Sequence, residues 1–113
     1  IGDIEMASYN AKGQFTLPRQ LRLKDGVNVE SLGGAKTLDK ASSMIQILNP
    51  NGAERVVNLP AVQDGALFWI ANSGGGGFDL KVVKPDAGFF LVSNGKGFMV
   101  ACDSSNWHQV INA

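Results

Sequence analysis

From Ser43 to the C-terminus, short apolar runs alternate with clusters of glycine, proline, asparagine and aspartate. This punctuation constrains the fold more than any other feature, because no segment is left long enough for a capped amphipathic helix. "MIQIL" precedes Asn49-Pro50-Asn51-Gly52, and "ERVVNLP" reads as the returning strand, stopped at Pro60. Asp64-Gly65 leads into "ALFWIAN", a continuous apolar run of the kind shown by strands buried on both faces. "FDLKVVK" alternates, with Phe78, Leu80 and Val82 on one face and Asp79 and Lys81 on the other. The turn "PDAG", the run "FFLVS", the turn "NGKG", the run "FMVAC", the turn "DSSN" and the run "WHQVI" complete the series. About seven strands at roughly 8–12-residue spacing predict an all-β fold, an antiparallel β-sandwich of jelly-roll-like kind.

The N-terminal third lacks this period. Residues 1–14 predict an extended N-terminal arm, and residues 15–113 a single β-sandwich domain. The arm's Ile4, Met6 and Tyr9 follow no helical spacing, so they are candidate contacts with the domain or with a neighbour. Phe15, Leu17, Leu21 and Leu23 suggest a further segment, which Pro18 confines to an edge strand or an irregular arm. With one or two strands from this region the total reaches about 7–9 short strands. Arg19 and Arg22, close to Lys24, form a small basic cluster and a second candidate contact. The opening at Ile1 rather than methionine leads us to expect further residues upstream.

Gly74 to Gly77 raise the question of a phosphate-binding loop. Such a loop must lead into a helix, whose N-terminal amides face the anion. The residues that follow, Phe78 to Lys84, alternate as a strand does, so the glycines read as a hairpin turn. Gly95-Lys96-Gly97 reads the same way.

Ten basic and ten acidic residues among 113 cancel, which removes the electrostatic reason to expect nucleic acid or an acidic membrane as partner. No apolar run approaches the ~20 residues that span a bilayer. At 18% charged residues the surface is lean in charge, as suits one that lies against something else. Cys102 is the single cysteine and His108 the single histidine, too few for a disulfide or a zinc set, so no metal or cofactor is expected. Asp39, Glu54, Asp64, Asp79, Asp86 and Asp103 mostly neighbour glycine, proline or serine, where carboxylates complete turns. No acid–base pair or nucleophile elbow stands out, and we expect no enzyme. Phe68, Trp69, Phe78 and Trp107 are assigned to the core.

The order of segments from Lys36 to Val110 resembles a β-sandwich pattern of tailed-bacteriophage virion proteins. The resemblance rests on a strand ending in Leu59-Pro60, a turn at Gly65 and a strand ending in Asn72-x-Gly74. It continues with Val83-x-Pro85, a glycine-turned hairpin and a final Asp103-x-x-x-Trp107 strand. It implies a non-enzymatic structural protein, most like a capsid decoration (cement) protein that bridges major capsid subunits and stabilises the head. The implied partners are the major capsid protein and further copies of the chain, as a homo-dimer or homo-trimer. The implied location is the capsid exterior of a virion assembled in the host bacterial cytoplasm. The alternative within the same resemblance is a tail fibre, needle or spike module binding a host receptor or glycan, with Trp107, Tyr9 or the glycine tip in contact.

Overall fold

The computed structural model describes residues 26–111 and, N-terminal to them, the strands β1 (Ser8–Tyr9) and β2 (Phe15–Thr16). β1 pairs antiparallel with β2, Ser8 opposite Thr16. The rest of the expected arm, and Arg19 and Arg22, lie outside the described residues.

Nine short strands form two mixed sheets, and no helix occurs among the described residues. They are β3 (Val27–Ser31), β4 (Lys36–Thr37), β5 (Ile45–Asn49), β6 (Arg55–Asn58), β7 (Leu67–Asn72), β8 (Leu80–Val83), β9 (Phe89–Val92), β10 (Gly97–Cys102) and β11 (Trp107–Ile111). The five-stranded sheet runs β11-β10-β7-β5-β3, and the four-stranded sheet β4-β6-β8-β9. All seven segments expected after Ser43 are strands.

Their pairing differs from the antiparallel expectation. β3, β5 and β7 are parallel neighbours in one sheet, and β4, β6 and β8 are parallel neighbours in the other. From β3 to β8 the chain therefore changes sheet at every connection, winding three turns of a flat coil. β9 then returns antiparallel to β8, and β10 and β11 extend the larger sheet by antiparallel pairing.

Three expected hairpins are consequently crossings between sheets: Asn49 to Gly52, Gly74 to Gly77 and Asn94 to Gly97. Local turn chemistry specifies that the chain bends but not which strand it then joins. At the first crossing Asn51 and Gly52 have φ of 60° and 91°, the left-handed pair that usually closes a hairpin. Here the Arg55 guanidinium donates to the carbonyls of Pro50 (2.7 Å) and Asn51 (3.1 Å), holding the corner while β6 joins β8 instead of β5. The turns at Pro85–Gly88 and Asp103–Asn106 are true hairpins.

The Gly74–Gly77 segment leads into β8, not a helix, so no helix dipole faces it. Gly77 takes φ of +84°, open to glycine at no steric cost. Gly74 is required for another reason. A Cβ there would lie 2.9 Å from Pro50 Cδ on the neighbouring coil. The Asn72 side chain, 2% exposed, secures the same corner. It donates to the Phe78 and Val92 carbonyls and accepts from the Gly74 amide.

Because the coils stack in register, inward residues form rows. Asn28, Gln46, Ile70 and Phe98 make one row, and Val57, Val82 and Phe90 lie along another. Leu48, Ile70 and Val100 from the larger sheet meet Val57, Leu80, Val82 and Val92 from the smaller in one core. Each such side chain contributes about 1.5–3 kcal/mol by leaving water. Trp107 closes one end of this core. Its Nε1 donates to the Pro60 carbonyl (2.9 Å), and its ring lies 5.9 Å from Phe68.

The opposite end is closed by polarity. Within the strands of the first coil the inward positions are Asn28, Glu30 and Lys36, where later coils place Ile70, Leu48 and Val82, while Leu32 and Leu38 just past those strands are buried in the core. Glu30 and Lys36 form an ion pair at 2.8 Å, and Asn28 donates to both Glu30 and Gln46. The hydrogen bond from Lys36, then that from Asn28, holds the Glu30 carboxyl below its ordinary pKa. A pair this exposed contributes at most about 1 kcal/mol, so its effect is to end the stack without presenting an apolar cross-section. Gly74→Ala should destabilise the fold by about 1–3 kcal/mol in urea denaturation. Gly75→Ala, whose Cβ meets open space, should change it by less than about 0.5 kcal/mol.

Candidate interaction surface

Alternation on β7 turns Phe68, Ile70 and Asn72 into the core and Leu67, Trp69 and Ala71 to the outside. Trp69 is 41% exposed, which corrects its assignment to the core. Phe78 is corrected likewise, since it precedes β8 on the crossing and is equally exposed. Phe68 and Trp107 are core residues as expected, and burial removes Trp107 from the candidate ligand contacts. Ile4, Met6, Arg19 and Arg22 lie outside the described residues, and Tyr9 is described only as part of β1.

The outward Trp69 does not stand alone. Register places Val27, Ile45, Trp69 and Met99 side by side across four strands. A second row holds Val29, Ile47, Ala71 and Gly97, and Leu67 lies opposite Ala101. Ser31, Asn49 and His108 supply the polar groups on this face. No Asp, Glu, Lys or Arg occurs at its described positions. Val29 is 70% exposed and Val27 44%. The largest exposed apolar patch on a monomer is often a functional contact.

The sequence concealed this face because both sides of the sheet are apolar. Within "MIQIL" the buried side chains are Gln46, 1% exposed, and Leu48, while Ile45 and Ile47 point outward. Gln46 is tolerated inside because its amide donates to the Ser43 carbonyl and accepts from Asn28. Among the described residues the reading of "ALFWIAN" as covered on both faces is met on one side only.

The outer side of the four-stranded sheet carries a smaller patch. Phe89 and Leu91 are about half exposed, and the Lys81 ammonium sits 4.4 Å from the Phe89 ring centroid.

Other groups have local duties. Asp39, Asp86 and Asp103 accept from backbone amides two residues on, closing turns as their neighbours suggested. A cavity of about 340 Å³ opens between the crossings that hold Ser42 and Gln63, with Asp39 and Asp64 at its wall. Asp39 is already engaged by Ala41 and Ser42. Cys102 is buried, and its Sγ accepts from the Gln63 amide. Among the described residues no group of three His, Cys, Asp or Glu side chains is placed to hold a metal. No described helix is long and apolar enough to cross a membrane.

No family model, curated protein or solved structure matches the chain.

Asp103 and His108 pair at 2.9 Å on the β10–β11 hairpin, both exposed. The Ser105 amide, then His108 and the Asn106 amide, hold the Asp103 carboxyl at a pKa of about 2. A carboxylate this acidic is a poor proton carrier near neutrality. Its folded pKa lies below the unfolded value, so its contribution to stability is present above pH ~4 and lost as pH falls through about 2. The stability difference between the native chain and Asp103→Asn should therefore shrink as pH falls from about 4 through about 2. Carboxyl chemical-shift titration should place the midpoint near 2.

Proposed function

We propose that the chain is a non-enzymatic structural module that works by docking, in the role of a capsid decoration protein on a tailed-bacteriophage head. The uncharged outer face of the five-stranded sheet carries this reading. A sheet that is apolar on both sides is stable in water only at a cost, and a covering protein removes it. The Phe89–Leu91 patch on the other sheet adds a second contact in a different direction, as a bridge between subunits requires. In this reading the two mixed sheets around one core act as a sandwich-like plate that lies against a shell on the virion exterior.

The mechanism is multivalent. Contacts that are modest in each copy are repeated by the symmetry of the shell, so occupancy rises far above what one site supports. A protein that binds only the assembled shell must also stabilise it, by linkage. In the tail-module alternative, the exposed Trp69 indole, not the buried Trp107, is where a glycan would stack.

Particles stripped of the protein should lose their contents at a lower temperature than decorated ones, and unchanged heat resistance would argue against cementing. Leu91→Lys, at a site about half exposed, should lower occupancy on particles about tenfold or more while the chain stays folded. A glycan-array signal that disappears in Trp69→Ala would instead favour the tail module.

A further inference from the structure

We propose that the outer face of the five-stranded sheet pairs with the same face of a second copy, related by a two-fold axis near Trp69. The inference rests on the docking reading above and names the partner of its larger face.

Charge selects that partner. An interface buried against this face must not strand a charge, because its described strand positions offer no Asp, Glu, Lys or Arg to pair with it, and the Asp103 carboxylate at its β10–β11 corner is already engaged by His108. The surface on this molecule that meets the condition over the same span is the face itself. The outer side of the four-stranded sheet is not an equivalent mate, since it carries Lys81 among Val83, Phe89 and Leu91.

The layout is also self-complementary. β7 is the central strand of five, and Trp69 lies near its middle. Ile45 flanks it on one side and Met99 on the other. A two-fold axis through Trp69 along the strand sets each copy's Ile45 against the other's Met99, with the two indoles at the centre. Large aromatic side chains at the centre of an interface carry most of its energy. Sheets packed this way lie about 10 Å apart, with strands within about 30° of alignment.

Area sets the strength. Five strands about 4.8 Å apart and five residues long cover roughly 400 Å² of flat face per copy. Two such faces total roughly 800 Å², below the about 1,200 Å² at which stable interfaces begin, so the dimer is weak and reversible. It leaves the Phe89–Leu91 patch free on both copies.

Sedimentation equilibrium of the full chain from low to high micromolar concentration tests this. The expected result is a reversible monomer–dimer equilibrium. Val29→Lys should weaken it at least about tenfold, because a lysine is brought onto an uncharged interface. Val29 is 70% exposed at a sheet edge, so the variant should fold, as circular dichroism would verify. Leu91→Lys, on the other sheet, should leave dimerisation unchanged. In the unmodified chain, quenching of Trp69 by acrylamide should fall as concentration rises, while buried Trp107 stays protected throughout.

A chain that stays monomeric at every concentration overturns the self-pairing. If Val29→Lys still reduces attachment to particles in that case, the docking reading survives with a different partner. If it does not, both fall. A dimer indifferent to Val29→Lys but broken by Leu91→Lys overturns the choice of face.

Discussion

The in-register stacking of β3 on β5 on β7, matched by β4 on β6 on β8, is the constraint on which the molecule depends. Parallel neighbours cannot be joined by a tight hairpin, so the chain must leave the sheet and come back. It does so through the other sheet, without a helix. Each crossing therefore serves two strands at once, and each turn of the coil adds one rung to both sheets. The ladder continues into the corners, where the Leu32 amide donates to the Asn49 carbonyl and the Leu59 amide to the Val83 carbonyl. Loss of one crossing would disturb two sheets.

Stacking also explains which polar groups the interior contains. Gln46 and Asn72 are buried on inward rows, and every buried side-chain nitrogen or oxygen among the described residues has a partner. Both amides bind backbone or neighbouring coils, so they set the spacing of the coil as well as filling it. Glu30, Lys36 and Asn28 apply the same logic at the first coil, where the row meets water and an apolar side chain would invite another chain to continue the stack. That end is closed, and the outer face of the larger sheet is not. The first coil thus carries inward-facing charge, and the described outer positions of the larger sheet carry no Asp, Glu, Lys or Arg.

All seven strands after Ser43 were legible in the sequence, because period-two runs and turn residues are local signals that pleating and glycine or asparagine backbone freedom translate directly. So were the turn duties of Asp39, Asp86 and Asp103 and the burial of Cys102, Phe68 and Trp107. The lean charge of the whole chain was visible too, though not its concentration on one missing side. The sequence by itself thus determined where the chain is extended and where it bends. Tertiary structure alone decided that Asn51-Gly52 leads to a different sheet and that Gln46 faces inward while Ile45 and Trp69 face out. The reason is physical: a strand's hydrogen-bonding groups are the same whichever partner they meet, and alternation defines two faces without saying which one the core will claim.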